Sequence, residues 1–402
     1  MRRTLIIAAI VIILIGAGAS VYFYFFSNTA GVAVTTPSGN TTLPTAGQTS
    51  VPSTGTTATG GTTTSSAPNA PSAVSSRLIK ISVGPVVPGE GLVSKPASAS
   101  SSPETLVRYI ERESGNVFSY STLSKTLTRT SNKTIPGIQS AVWLPDASVA
   151  FVRYLSGADS STINTYALPA DGSGGFFLSQ NLADVAVSSS GILALASGVN
   201  GSTASVSRLD GTHPVSAFSS ALSSLRASFA GKQYLTVTKA SATLPGYAFL
   251  VDAAGRFSRV AGPLNGLSAL ASPSGKWLLA SYTLGTALQL ELVDTTTGET
   301  VPLPVATLAD KCAWTSDSSA IYCGVPMDPP NASYPDDWYQ GAVSFSDRIW
   351  KIQVSGRYAQ LVLDFSKDAK GALDAEALAV DAANTTLVFV NKNDGSLWSY
   401  SL

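Results

Sequence analysis

Residues 268–282 read SALASPSGKWLLASY. A short apolar run ends in Ser-Pro-Ser-Gly, and a second apolar run follows from Trp277. Proline presets φ for a turn, and glycine accepts the left-handed backbone that a tight reversal needs. The flanking runs are too short for helices and suit strands. The unit is therefore a β-hairpin, and the same design recurs along the chain. AVWLPDASVAFVRYL (141–155), VAVSSSGILALAS (185–197), LRASFAGKQYLTV (225–237), CAWTSDSSAIYC (312–323) and LAVDAANTTLVFV (378–390) each place a polar turn between two apolar strands. The turns centre near Asp146, Ser189, Ala230, Ser274, Asp317 and Ala382, at intervals of 43, 41, 44, 43 and 65.

One period before Asp146 lies Pro103, in SSPETLVRYIE, which carries the same turn and second strand. A third strand and turn follow most hairpins, as in YAFLVDAAGRF (247–257) and LELVDTTTGET (290–300). Four strands in 40–45 residues is the period of a β-propeller blade. Seven turns predict an all-β propeller of seven four-stranded blades over 77–402, with six or eight as neighbouring counts and a pair of β-sandwiches as the other architecture. The last copy stops after its third strand, GSLWSYSL, while RLIKISVG (77–84) has no place in the first copy. That early strand is expected to complete the last blade and hide its edge. The weakest element is the first inner strand, in EGLVSKPASAS (90–100).

The strand–SPSGKWLLA pattern followed by LVDTTTGE, together with LPDA at 144–147, resembles the WD40-like or TolB-type propeller repeat. The resemblance covers roughly residues 77–402. It implies ligand or partner binding on a loop-lined face and no particular chemistry. YPDDWYQGAVSFSDRIWKI (334–352) also resembles a segment of uncharacterised membrane-anchored bacterial propellers, from which no activity follows.

Thr4 to Phe26 contains no charge and is rich in Ile, Leu, Val and Ala. About 20 such residues cross a bilayer as a helix. Arg2 and Arg3 precede the run and no charge follows until Arg77, which places the C-terminal bulk outside the cytoplasm. A cleaved signal peptide ending at Ala17-Gly18-Ala19 is the alternative. In residues 27–76, Ser, Thr, Gly and Pro make up 34 of 50 positions, with no aromatic or charged residue, so a flexible linker is expected. The organisation is then a stub and transmembrane helix (1–26), a linker (27–76) and a propeller (77–402), at the cell membrane.

Charged residues are 12% of the chain and net charge is zero, so nothing suggests a grip on nucleic acid. A single histidine, His213, excludes a multi-histidine metal site and reads as a surface turn residue. No G-x-S-x-G elbow or phosphate loop occurs. No cofactor or metal is expected.

The two cysteines flank one hairpin. With Asp317 and Ser318 as a two-residue turn, Trp314 faces Ile321, Ala313 faces Tyr322 and Cys312 faces Cys323. Opposed β-carbons lie within reach of a disulfide, which an oxidising compartment allows. The long interval from Asp317 to Ala382 exceeds the period by 22 residues, most of them in GVPMDPPNASYPDDWYQGAVSFSD. This is an insertion between the second and third strands of one blade. Tyr334, Asp336, Asp337, Trp338, Tyr339 and Gln340 make it a candidate recognition loop. Equally, the aromatics can fold back on the ring while the acids cap turn amides. Asp336 and Asp337 would point to opposite faces of an extended segment.

The leading expectation is a membrane-tethered binding or scaffold module for an envelope protein, peptide or glycan. The alternatives are a glycan- or peptide-processing enzyme using carboxylates near the channel, and a structural subunit of an envelope assembly.

Overall fold

The computed structural model describes residues 72–73, 77–95 and 102–402. The expected membrane helix at 4–26 and nearly all of the 27–76 linker lie outside those residues. The described residues form seven antiparallel sheets, six of four strands and one of five. Blades 1 to 7 open with the inner strands Gly91–Lys95, Ile138–Trp143, Leu182–Ser188, Leu225–Ala230, Ser268–Ala271, Cys312–Trp314 and Ala375–Val380. The fold is a seven-bladed β-propeller.

Strand alternation gives every blade two apolar faces, and each face meets the next blade. One buried cluster fills each of the seven junctions. Between blades 1 and 2, for example, Ile110 and Val117 pack with Trp143, Val152 and Leu168. The cluster of Ile79, Val388 and Val390 with Val107, Tyr109 and Tyr120 joins blade 7 to blade 1 and so closes the circle. Hydrophobic burial here is spread over seven slabs rather than gathered in one centre.

The hairpin turns form as their residues dictate. In the 268–282 hairpin, Gly275 N donates to Ser272 O at 2.8 Å, and Gly275 has φ 74°. A β-carbon there would stand 2.4 Å from Ala230 O of the neighbouring blade, so glycine serves both the turn and the close approach. The doubtful first strand is real: Gly91–Lys95 pairs along Glu104–Ile110.

The closing blade is assembled from both ends of the domain. Leu78, Ile79 and Lys80 pair with Tyr400, Ser399 and Trp398, and Ser72–Ala73 adds a fifth strand outside them. Arg77 reinforces the seam, donating from Nε to Ser401 O at 2.8 Å and lying 4.7 Å over the Tyr400 ring.

Chain direction sorts the loops. Every inner strand starts at one end of the ring, here the upper end. Blade-to-blade links and second-to-third connections therefore gather at the upper end, and first-to-second turns at the lower end. In blade 6 the pairs are Cys312 with Cys323, Ala313 with Tyr322 and Trp314 with Ile321, the register that the two-residue turn requires. Cys312 and Cys323 form a disulfide with Cα atoms 4.1 Å apart. Residues 327–346, between Ala320–Pro326 and Asp347–Gln353, form the insertion, at the upper end.

Candidate functional site

The upper mouth of the channel collects polar side chains from successive inner strands. Asp184 comes from blade 3, Arg226 from blade 4, Ser268 from blade 5 and Asp310 from the link into blade 6. Each lies 42 residues from the next, so they are one repeat position held in turn by Asp, Arg, Ser and Asp. With Tyr339 of the insertion, they line a pocket of about 240 Å³ whose apolar wall includes Leu235, Val237 and Leu267.

Asp310 is the hub. Its carboxylate accepts from Arg226 Nη1 at 2.8 Å, from the Tyr339 hydroxyl at 2.6 Å and from Ser268 Oγ. The Arg226 guanidinium lies 5.9 Å from the Tyr339 ring centroid, within cation–π range. Asp310's charge raises the Arg226 pKa further, so this group stays cationic. Burial, then the negative Asp310, pushes the Tyr339 phenol well up, so it remains a donor. The Arg226 side chain is still 60% exposed, which leaves guanidinium edge for a visiting group. Asp184 accepts from Ala227 N at 3.0 Å and from its own neighbour Val185 N at 2.9 Å. Burial nevertheless raises its proton affinity above the usual range.

Behind the pocket the insertion is pinned by a buried ion cluster. Lys311 Nζ contacts Asp347 Oδ2 at 2.8 Å, donates to Ala375 O at 2.8 Å and pairs with Asp374 Oδ1. All three charged side chains are shut from solvent. Asp374 Oδ2 accepts from Trp338 Nε1 at 2.9 Å and from Phe345 N at 3.0 Å. The Lys311 ammonium sits 4.9 Å over the Trp338 ring, as does that of Lys392. Burial raises the Asp347 pKa to about 6 against the opposing pull of Lys311. Nearby, both Glu90 carboxylate oxygens are buried without a hydrogen-bond partner, although the residue as a whole is partly exposed. Burial and then Glu376 raise its proton affinity well above normal.

The six candidate loop residues separate by role. Tyr334 is buried, its hydroxyl bonded to Pro330 O, and its ring lies 5.5 Å from Phe345. Trp338 is buried and serves as the anchor just described. Asp336 and Asp337 open a one-turn helix, Asp336–Tyr339, rather than an extended segment. Asp336 accepts from Ala242 N of blade 4 at 2.7 Å, tying the loop across the mouth, and Asp337 accepts from Ser333 N at 2.7 Å. Gln340 is exposed. Of the six, Tyr339 alone lines the pocket. Sequence reasoning missed Asp184, Arg226, Ser268 and Asp310. The signal that finds them is the 42-residue recurrence of polar residues at inner-strand starts. Among the described residues, no group of three or more His, Cys, Asp or Glu side chains is placed to hold a metal ion.

No protein-family model matches the chain, and no curated protein matches it in sequence. Its fold is similar to that of solved propeller structures. An oligogalacturonate lyase from Vibrio parahaemolyticus aligns with TM-score 0.52 at 8% identity, over 81% of this chain and 93% of that one. A Kuenenia stuttgartiensis hydrazine synthase aligns with TM-score 0.51 at 10% identity, over 80% of this chain and 97% of that one. At such identities the likeness establishes the propeller fold alone.

Proposed function

We propose that the protein is a binding module outside the cytoplasm, a tethered propeller of the WD40-like or TolB type. Residues 4–26 hold it at the membrane and residues 27–76 give it reach. The ligand is a polar group of an envelope protein, peptide or glycan, received at the channel mouth. The observation that carries this reading is the Arg226–Asp310–Tyr339 arrangement. Asp310 and Tyr339 are satisfied by neighbouring side chains before any ligand arrives, while Arg226 keeps an exposed donor edge. Such a preoriented guanidinium suits a carboxylate, a carbonyl or sugar hydroxyls, and preorganisation reduces the entropy lost on binding.

Capture of envelope partners by the full chain, wild type against Arg226→Ala, tests the site. Loss of a partner with Arg226→Ala supports the reading, with circular dichroism as the folding control. Identical partner lists and affinities from both proteins refute it.

One observation favours a second reading, an enzyme acting on glycan or peptide. Two carboxylates, Asp184 and Asp310, share the pocket with a phenol, and burial has raised the proton affinity of Asp184. A carboxyl group shifted in this way suits general acid or base work. Incubation with envelope glycans and peptides, followed by product analysis, separates the readings. Turnover that vanishes in Asp184→Asn would favour catalysis, and intact substrates would remove it.

A further inference from the structure

The loops at the upper end of blades 2 to 5 end in isolated aliphatic side chains. Leu155, Val199, Leu222, Leu244 and Leu284 are 50%, 101%, 42%, 67% and 61% exposed. Leu155, Val199, Leu244 and Leu284 lie at the second-to-third connections of blades 2, 3, 4 and 5, and Leu222 lies in the link from blade 3 to blade 4. The upper-end loops between 157 and 286 carry only two charged residues, Asp159 and Lys239. The lower-end turns of the same four blades carry Asp146, Asp171, Arg208, Asp210, Lys232, Asp252, Arg256, Lys276 and Glu299. The upper crescent is thus a charge-poor, apolar-tipped surface, its exposed charges being Asp159 and Lys239 in the loops and Arg226 at the mouth, with charged loops of blades 7 and 1 (Glu111, Arg112, Glu113, Lys392, Asp394) at its rim.

Topology supplies the occupant. The outermost strand, Ser72–Ala73, is antiparallel to Leu78–Lys80, which is antiparallel to Ser396–Ser401. It therefore runs parallel to the inner strand of blade 7 and begins at the upper end. The described part of the ring therefore begins at that end, and 71 residues, including the 23-residue uncharged run, precede it in the sequence. A linker of this composition spans roughly 40 Å r.m.s.. A ring so tethered meets the bilayer again and again at high effective concentration, so weak apolar contacts suffice. The five separate aliphatic tips have no aromatic side chain among them, and they suit a lipid interface better than a protein hot spot.

We propose that the upper crescent of blades 2 to 5 rests on the lipid surface of the membrane that tethers the chain. Leu155, Val199, Leu222, Leu244 and Leu284 then dip below the headgroups, and the rim charges remain in water. The inference rests on the tether reading.

The test uses the full chain in proteoliposomes. Its two cysteines are joined to each other, so a thiol introduced by Val199→Cys, Leu244→Cys, Leu284→Cys or, at the lower end, Leu123→Cys is the sole target for an environment-sensitive fluorophore. Lipids spin-labelled in the acyl chain should quench the three upper probes and leave the Leu123 probe at its unquenched intensity. Adding Val199→Asp and Leu284→Asp to the Leu244→Cys chain should abolish its quenching while the protein still floats with the vesicles. Floating protein with unquenched upper probes, or with equal quenching at both ends, overturns the docking and leaves the tether standing. Protein that an alkaline wash strips from the vesicles overturns both.

Discussion

Turn aspartates and the buried carboxylates of the upper end are used in opposite ways, the upper loops holding turn aspartates of their own at Asp159 and Asp394. At the lower end, Asp171, Asp210 and Asp317 accept from a Ser or Thr hydroxyl and from backbone amides of their own turns. Hydrogen bonding to the charged form holds their proton affinity low, and Asp317 falls to about 2, chiefly through the Thr315 hydroxyl. At the upper end, burial raises Asp184, Asp347, Glu90 and Glu376. A turn aspartate stabilises the scaffold with the charge facing water. A buried carboxylate marks either an anchor or a site, and here the anchor (Asp347, Asp374) and the pocket (Asp184, Asp310) stand side by side.

The contrast is broken hardest at Lys311. Lys311→Met leaves Asp347 and Asp374 buried without their cation, and loss of one partner of a buried pair costs about 3–5 kcal/mol. Urea unfolding should show that loss, and a change below about 1 kcal/mol would mean the cluster does not pin the insertion. Reduction of Cys312–Cys323 is expected to cost about 2–4 kcal/mol, since a short bridged loop restrains the unfolded chain. Thermal unfolding with and without reductant measures it. Trp338→Phe keeps an aromatic ring but removes the donor to Asp374 Oδ2, for an expected cost of about 1–3 kcal/mol. Asp317→Ala, at the lower end, should cost no more than about 1 kcal/mol, because the carboxylate itself is exposed and the Thr315 hydroxyl keeps its bond to Ala320 O.

pH sharpens the same contrast through its sign. Asp347 binds its proton more tightly folded, at about 6, than unfolded, near 3.8. Its contribution to stability is therefore fully present below about pH 4 and lost as pH rises through about 6. Asp317 is the reverse: its contribution is present above 3.8 and lost as pH falls through about 2. Urea midpoints at several pH values from 4 to 7 should fall less steeply in Asp347→Asn than in the wild type. Parallel profiles would show that Asp347 does not titrate in that window.

Much of the scaffold was legible because strands alternate with period two and turns have a narrow chemistry. CAWTSDSSAIYC has one two-residue turn that opposes Cys312 and Cys323, and the structure has that register. Counting strands left the last blade one short, and RLIKISVG supplied it. The pocket was not legible in the same way. Asp184, Arg226, Ser268 and Asp310 share a repeat position but not one residue type, so they vanish among many serines and turn aspartates. The insertion advertised its aromatics, yet their direction depends on distant residues. Trp338 turns inward because Asp374, 36 residues away in the link to blade 7, accepts its indole proton.

The seam in blade 7 also sets an order of events. Leu78–Lys80 is among the first parts of the ring to be synthesised, and its partner Ser396–Ser401 is the last. During synthesis the early strand waits with one edge open while six blades stack on one another, blades 1 and 6 each keeping one uncovered face. Closure becomes possible only when Ser396–Ser401 emerges, so a chain lacking that strand would stay an open arc and expose itself to proteolysis.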